Sequence, residues 1–419
     1  MQEKINKISF YRICLMIFVS CLFYSYQFVL RVSPNMMTDE LAKSFSINAT
    51  YIGFFSSFYY LSYSFSLIPL GVLMDQYGPK KIMFLGPLLC GIGCLLFSFS
   101  TSYGIACFSR FIMGLGASFA FLGTLKLGSL WFPPKDFAKV VALAMVFGTL
   151  GAVLGGVPLE LSLSKLGWRK VFWFLSIFGF SLSFVLYFVI KQSNIVADKI
   201  YYGSIFKKFF ETLKSREAWF IASYASMMYF PLILFGDFSG VSFLERAYNV
   251  EESLAATVVA SFFIGVAFGS PSFSLFSDYL KTRKVPMQLS SFSCFCLSII
   301  IIYTTTLPFN FMYVIFFLMG FFFGGKSISF TAIVEKISKE NTGIAVAFIN
   351  TLVMTGGVII LPLFGWLLDF HSTKLGYADM RNYTADDFRF ALSIIPFSIF
   401  VSGLCITFTT ETFKSSNKK

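Results

Sequence analysis

Gly71-Val72-Leu73-Met74-Asp75-Gln76-Tyr77-Gly78-Pro79-Lys80-Lys81 is a charged, glycine-bounded stretch set between two long apolar runs. It reads as a turn. Asp75 suits the cap of the following segment, Gly78 and Pro79 suit the reversal, and Lys80 and Lys81 suit a hold at a water-facing surface. Gly71 would let the helix end pack closely on its neighbour. A weaker copy begins 203 residues further on, at Ser274, with Asp278, Arg283 and Lys284 in the places of Asp75, Lys80 and Lys81. Ser274 and Lys281 stand where this copy should repeat Gly71 and Gly78. Two copies of one charged clamp imply an internal duplication.

The composition around the clamp is that of a chain solvated by lipid. Hydrophobic residues make up 56% and charged residues 13% of the 419, and mean hydropathy is +0.75. A soluble domain carries about 25% charge. The net charge of +12 lies in short loops, which is a pattern of membrane orientation rather than of nucleic-acid binding. The eight cysteines fall mostly inside apolar runs, and there is a single histidine, so no metal site or cofactor is expected. No nucleophile–base pair and no phosphate-binding glycine loop occurs, so an enzyme is not expected.

Twelve apolar runs of spanning length are predicted, at 11–37, 50–72, 82–101, 104–131, 139–161, 169–190, 218–241, 254–276, 286–305, 309–333, 342–368 and 388–410. With both termini in the cytoplasm, inner segments hold about 21 of the 33 lysines and arginines. The fold class that follows is an all-α integral membrane bundle of twelve transmembrane helices in two pseudo-symmetric six-helix halves. Residues 1–190 form the first half, 191–217 a cytoplasmic linker and 218–419 the second half. The linker pairs Ile205-Phe206 and Phe209-Phe210 with lysines, as a short amphipathic helix on the membrane surface would. The loop at 369–387, with Asp369, His371, Asp379, Asp386 and Asp387, reads as solvated. Such a chain is placed as a multi-pass protein of a bacterial inner membrane.

Three strings carry a family resemblance. They are the clamp, Arg110-Phe111-Ile112-Met113-Gly114-Leu115-Gly116, and Gly167-Trp168-Arg169-Lys170-Val171-Phe172. Together they resemble the conserved loop, the fourth-helix pattern and the start of the sixth helix in the major facilitator superfamily, and the resemblance covers essentially the whole chain. It implies a secondary transporter whose clamp links contacts between the halves to the inward/outward switch. It implies that Arg110 influences protonation of a neighbouring acid, with anchoring to headgroups as the plain alternative. The missing glycines make the second clamp the less secure switch. A narrower resemblance, to the phagosomal transporters of intracellular bacteria that import amino acids or nucleosides, rests on Leu30-Arg31-Val32-Ser33-Pro34-Asn35, Phe121-Leu122-Gly123-Thr124-Leu125-Lys126 and Trp131-Phe132-Pro133-Pro134.

Ionisable residues inside apolar runs are functional candidates because a charge in the bilayer is costly. Tyr24, Gln27 and Arg31 share one helix face at i, i+3 and i+7, ending in a cationic fork suited to a carboxylate or phosphate. Snorkelling or a structural ion pair is the alternative for Arg31. Ser56, Tyr60 and Tyr63 form a second polar face. Asp237 lies in the seventh run at nearly the depth of Arg31 in the first, so the two would bind a zwitterion, carboxylate to Arg31 and ammonium to Asp237. Its rivals are an outer-mouth position or a structural pair with Arg31 or Arg246. Lys126 and Lys326 sit among small residues in the fourth and tenth runs, and Lys326 is the better cavity residue. Asn350, Thr351 and Thr355 offer either cavity lining or interhelical bonding. Gly148, Gly151 and Gly155 form a bare helix face for close packing.

For proton coupling the candidates are Asp237, Glu160 and, by resemblance, Arg110, with Glu335 at an inner helix end and His371 in a loop. The expected activity is uptake of a small polar solute by alternating access, an amino acid foremost, with proton symport permitted by the acids present. An organic-anion or phosphate-ester carrier is the rival, and a non-transporting receptor with the same fold is the alternative of another class. The expected partners are the solute, protons and the lipid bilayer, for a protein acting as a monomer.

Overall fold

The computed structural model describes residues 10–132, 134–191, 214–304, 306–336, 342–374, 383–411 and 413. Among the described residues the regular structure is entirely helical. Eleven stretches among the described residues are long and apolar enough to cross a bilayer. The helix Ala49–Tyr77, with 29 residues, covers the second predicted run at 50–72. The linker pairs, Asp379 and Pro133 lie outside the described residues.

The chain divides into two compact units, Met1–Ser33 with Phe58–Ile200, and Pro34–Ser57 with Tyr201–Lys419. The predicted division at the linker thus comes with an exception: the segment Pro34–Ser57 groups with the second unit.

In the first unit are α1 (Phe10–Val32), the greater part of α3 (Ala49–Tyr77), α4 (Pro79–Met83), α5 (Leu85–Ser98), α6 (Tyr103–Trp131), α7 (Pro134–Leu154), α8 (Val157–Leu166) and α9 (Trp168–Val189). In the second are α2 (Thr38–Phe45), α10 (Arg216–Met227), a π-helical stretch Leu232–Phe238, α11 (Gly240–Tyr248), α12 (Glu252–Leu280), α13 (Lys284–Tyr303), α14 (Asn310–Phe323), α15 (Ile328–Lys336), α16 (Thr342–Lys374), α17 (Ala385–Leu392) and α18 (Ile394–Thr407). α1 packs on α7 and α5 on α9 in the first unit, as α10 packs on α16 and α13 on α18 in the second. Each unit therefore repeats one packing scheme, as the duplicated clamp requires.

The bare face of the fifth run packs on α1. A Cβ at Gly151 would lie 2.2 Å from the Ser25 carbonyl oxygen, so only glycine permits that approach. The fifth run is not one helix, however: it breaks at Gly155 and Gly156 between α7 and α8.

The first clamp is mostly helix rather than turn. α3 continues through Gly71 to Tyr77, and the reversal is confined to Gly78, at φ +77°, with Pro79 opening α4. An isolated glycine and even Pro69 are tolerated within a membrane helix because neighbouring groups satisfy the backbone. Among the described residues a Cβ at Gly71 would meet only Leu122 Cδ2, at an ordinary 3.9 Å, rather than the expected close contact. In the second copy α12 runs to Leu280, and Lys281 takes φ +52° at the position where the pattern has glycine.

Both ends of the stretch read as a solvated loop at 369–387 are helical, and 375–382 lie outside the described residues. Asp369 and His371 belong to α16, while Asp386 and Asp387 open α17. Asp387 is fully buried, accepts from the Thr384 N–H and hydroxyl, and lies 2.6 Å from His371 Nδ1. Its capping box with Thr384 explains why the carboxylate is drawn inward. His371 also stacks on Phe390, at 4.6 Å between centroids.

Candidate functional site

In the first unit the residues singled out at the end of α1 are buried. Arg31 is 5% exposed. Its Nε donates to the Tyr60 hydroxyl at 3.2 Å, and its guanidinium lies 5.1 Å from the Phe28 ring centroid and 5.4 Å from that of Tyr60. Snorkelling is thereby excluded, because the head group is held by aromatic faces inside the unit. Gln27 accepts the Tyr59 hydroxyl at 2.8 Å, and Tyr63 stacks on Tyr59. Tyr24 packs against Phe28 and Phe121. The stripe predicted on α1 thus exists, but Gln27 and Tyr24 engage their own unit through Tyr59, Phe28 and Phe121. Those three were missed. A helical period reports which residues share a face and says nothing of what lies opposite.

Arg110 corrects a second expectation. It is 1% exposed, so it does not anchor to headgroups. Its Nη1 donates to the Leu30 carbonyl at 2.7 Å, and the guanidinium lies 4.8 Å from the Tyr59 centroid. A cation on a carbonyl of the last turn of α1 complements the helix dipole and holds the residue next to Arg31. Glu160 stands in the first turn of α8, with Oε2 buried and without a hydrogen-bond partner among the described residues. Lys126 is half-buried on α6.

In the second unit Lys326 is 8% exposed. It sits in a 3-10 turn, Gly324–Ser327, with Nζ 4.4 Å from the Tyr229 centroid and 5.0 Å from that of Phe330. Tyr229 and Phe330 were likewise not foreseen. Asn350 is half-buried on α16. Asp237 is 3% exposed within the π-helical stretch. Arg246, one structural partner considered for Asp237, pairs instead with Asp39 at 3.2 Å and Glu245 at 3.7 Å. Burial pushes the Glu245 carboxyl above its ordinary range; Arg246 acts against this and Asp39 adds to it.

The second clamp is a connected ion network despite its degenerate sequence. Arg283 donates to Asp278 at 2.6 Å, to Glu335 at 2.8 Å and to Ser277 at 2.9 Å. Burial opposes its charge, but Glu335 and Asp278 raise its basicity further. Glu335, a candidate proton carrier by sequence, is therefore engaged as an ion-pair partner. Glu411, unforeseen, accepts the Arg283 N–H at 2.8 Å, the Lys284 N–H at 3.3 Å and the Thr282 hydroxyl. Burial pushes its carboxyl up, yet these bonds prevail and hold it at about 2. In the first clamp Lys80 lies 5.3 Å from the Tyr187 centroid and Lys81 is exposed. The side chain of Asp75 lies outside the described residues.

Several known proteins are similar. A family model described as Major Facilitator Superfamily matches residues 13–239 and 218–419. The chain is 27% identical over 195 residues to the probable galactarate/D-glucarate transporter GudP of Escherichia coli, which covers 44% of the chain and 42% of that protein. It is 24% identical over 378 residues to the hexuronate transporter of Bacillus subtilis, covering 83% of the chain and 85% of that protein. It is 23% identical over 175 residues to the probable sulfoacetate transporter SauU of Cupriavidus necator, covering 42% and 41%. The matches to GudP and SauU thus span about two fifths of those relatives' length. A crystal structure of a bacterial homolog to the human lysosomal transporter Spinster superposes with a TM-score of 0.75 at 15% identity, covering 96% of the chain and 97% of that structure. The narrower resemblance to phagosomal transporters finds no support in these relatives.

Proposed function

The chain belongs to the Major Facilitator Superfamily, and on that premise we propose that this transporter carries a small organic anion, a carboxylate or sulfonate, together with a proton. The observation that carries the reading is Arg31. It is buried at the end of α1, oriented by Tyr60 and bedded on aromatic rings, and it offers the planar donor geometry that binds a carboxylate. Lys326 supplies a comparable buried cation in the second unit, over Tyr229 and Phe330. The names of three similar transporters, for sugar acids and a sulfonate, point to the same chemistry.

The coupled proton is assigned to Asp237, with Glu160 as its alternate. Asp237 is 3% exposed within the π-helical stretch Leu232–Phe238. The positive-inside rule places the clamps and both termini in the cytoplasm.

A zwitterionic amino acid is the second reading, favoured by the burial of Asp237 as a counter-charge for an ammonium. Uptake by the purified protein in liposomes separates the two. Labelled glucarate, glucuronate and an amino-acid panel would be compared with and without an outside-acid gradient. Gradient-driven uptake of the acids, lost in Arg31→Lys, is expected. Uptake of amino acids with no response to sugar acids would overturn the anion reading.

A further inference from the structure

Asp237 lies where its helix is broken. The π-helical stretch Leu232–Phe238 ends at Ser239, whose N–H and hydroxyl both return to the Leu234 carbonyl, at 2.8 and 2.9 Å. α11 then begins at Gly240, where the chain doubles back so tightly that a Cβ would lie 2.0 Å from the Phe235 carbonyl oxygen. A π-bulge of this kind often marks a functional position, and a side chain inserted into a helix ladder is a recognised cause of such a break.

The inserted side chain is that of Asn35. Its Nδ2 donates to the Gly236 carbonyl at 3.1 Å, and its Oδ1 accepts the Val241 N–H at 3.4 Å. Gly236 and Val241 are the pair, five residues apart, that one more π turn would join directly. The carboxamide lies between them and presents one donor and one acceptor, as a peptide group would. Asp237 is the next residue after Gly236, inside the opened loop. Asn35 is itself fixed. It is 2% exposed and sits in the 3-10 turn Ser33–Met36, where Thr38 Oγ1 and the Met37 N–H both bond to the Pro34 carbonyl.

We propose that Asn35 is the positioning residue of Asp237, its carboxamide holding open the helix break in which that acid sits. The proposal rests on the reading of Asp237 as the proton carrier. Asn35 comes from the first sequence repeat and Asp237 from the second. Loss of the Asn35 contact would let the ladder close and move the acid, changing its proton affinity.

The test uses the full chain in liposomes. Asn35→Ala, and the isosteric Asn35→Asp, which can accept from Val241 but no longer donate to Gly236, should lose gradient-driven accumulation at least tenfold while keeping substrate counterflow. Amide exchange in segment 236–243 should slow at least tenfold in both, as the ladder closes. Adding Asp237→Asn to Asn35→Ala should cause no further loss. Normal accumulation by Asp237→Asn alone would overturn the reading of Asp237. A defective Asp237→Asn beside unchanged exchange in both Asn35 variants would overturn the role of Asn35. So would loss of counterflow together with accumulation in both variants, which marks a merely structural residue.

Discussion

The carboxylate of Asp369, near the end of α16, caps the start of α3 at Thr50. It accepts the Thr50 N–H at 2.9 Å and the Ala49 N–H at 3.3 Å, and the hydroxyls of Thr50 and Tyr383 complete its shell. An anion over two orphan amides at a helix N-terminus is favourable both as a cap and against the dipole. Asp369→Ala should therefore cost about 1–2 kcal/mol, read as a lower melting temperature of the purified protein. Burial, and then the bond to Asp369, push the Tyr383 phenol up, so it remains a donor throughout neutral pH. Tyr383→Phe should cost about 1 kcal/mol, a loss that largely vanishes when Asp369 is already Ala.

Lys281 occupies the left-handed region at φ +52°, which closes α12 at the cost of a Cβ clash. Lys281→Gly should stabilise the protein by about 1 kcal/mol, offset in part by the greater freedom of glycine in the unfolded chain. Chemical or thermal unfolding in detergent checks it. A glycine variant less stable than the parent would show that the Lys281 side chain holds a contact worth more than the strain.

Arg283 is held by two carboxylates, so they are not equivalent to it. Asp278→Asn leaves the Glu335 fork in place, whereas Arg283→Ala leaves both acids facing each other without a cation. Removing one partner of a partly buried ion network costs about 3–5 kcal/mol at the upper end. Transport rates should fall little in Asp278→Asn and more than tenfold in Arg283→Ala. Asp75→Asn should impair transport more than Asp278→Asn, because the second copy lacks the glycines of the first. Equal rates in the two variants would count against that ranking.

Glu411 gives a pH dependence of definite sign. Its carboxyl is held at about 2 in the folded protein against an ordinary value near 4.5. Its stabilisation is therefore complete above about 4.5 and is lost as pH falls towards 2. The side chain is exposed, so solvent screening limits the effect to about 1 kcal/mol. The melting-temperature gap between the parent and Glu411→Gln should narrow over that window and stay constant above it.

Helix ends were legible in sequence because lipid demands long apolar runs; α6, α9 and α13 fall within two residues of the predicted bounds. The same rule marked Arg31 and Lys326 as candidates and left snorkelling open for Arg31. The π stretch at Leu232–Phe238 was not legible, since hydropathy is the same for a π and an α turn. Nor were the engagements of Glu335, Glu411 and Asp369. Their partners lie 52, 128 and 319 residues away, and only the fold brings them together. The clamp at 71–81 was overread as a turn because glycine and charge signal loops in water. In a membrane helix those signals weaken, and only Gly78, with its positive φ, carried through.

The placement of Pro34–Ser57 with the second unit also sets an order of events during synthesis. Asn35 leaves the ribosome 201 residues before the Gly236 carbonyl it bonds, and Thr50 leaves 319 residues before Asp369. Contacts of such sequence separation form late and slowly. Until then the Asn35 carboxamide and the N-terminal amides of α3 have to be satisfied by water or by a provisional partner. The first repeat can thus be inserted but not finished on its own. A nascent chain stalled before α16 should stay sensitive to protease around residues 34–57, and protection should appear only when the last helices have emerged.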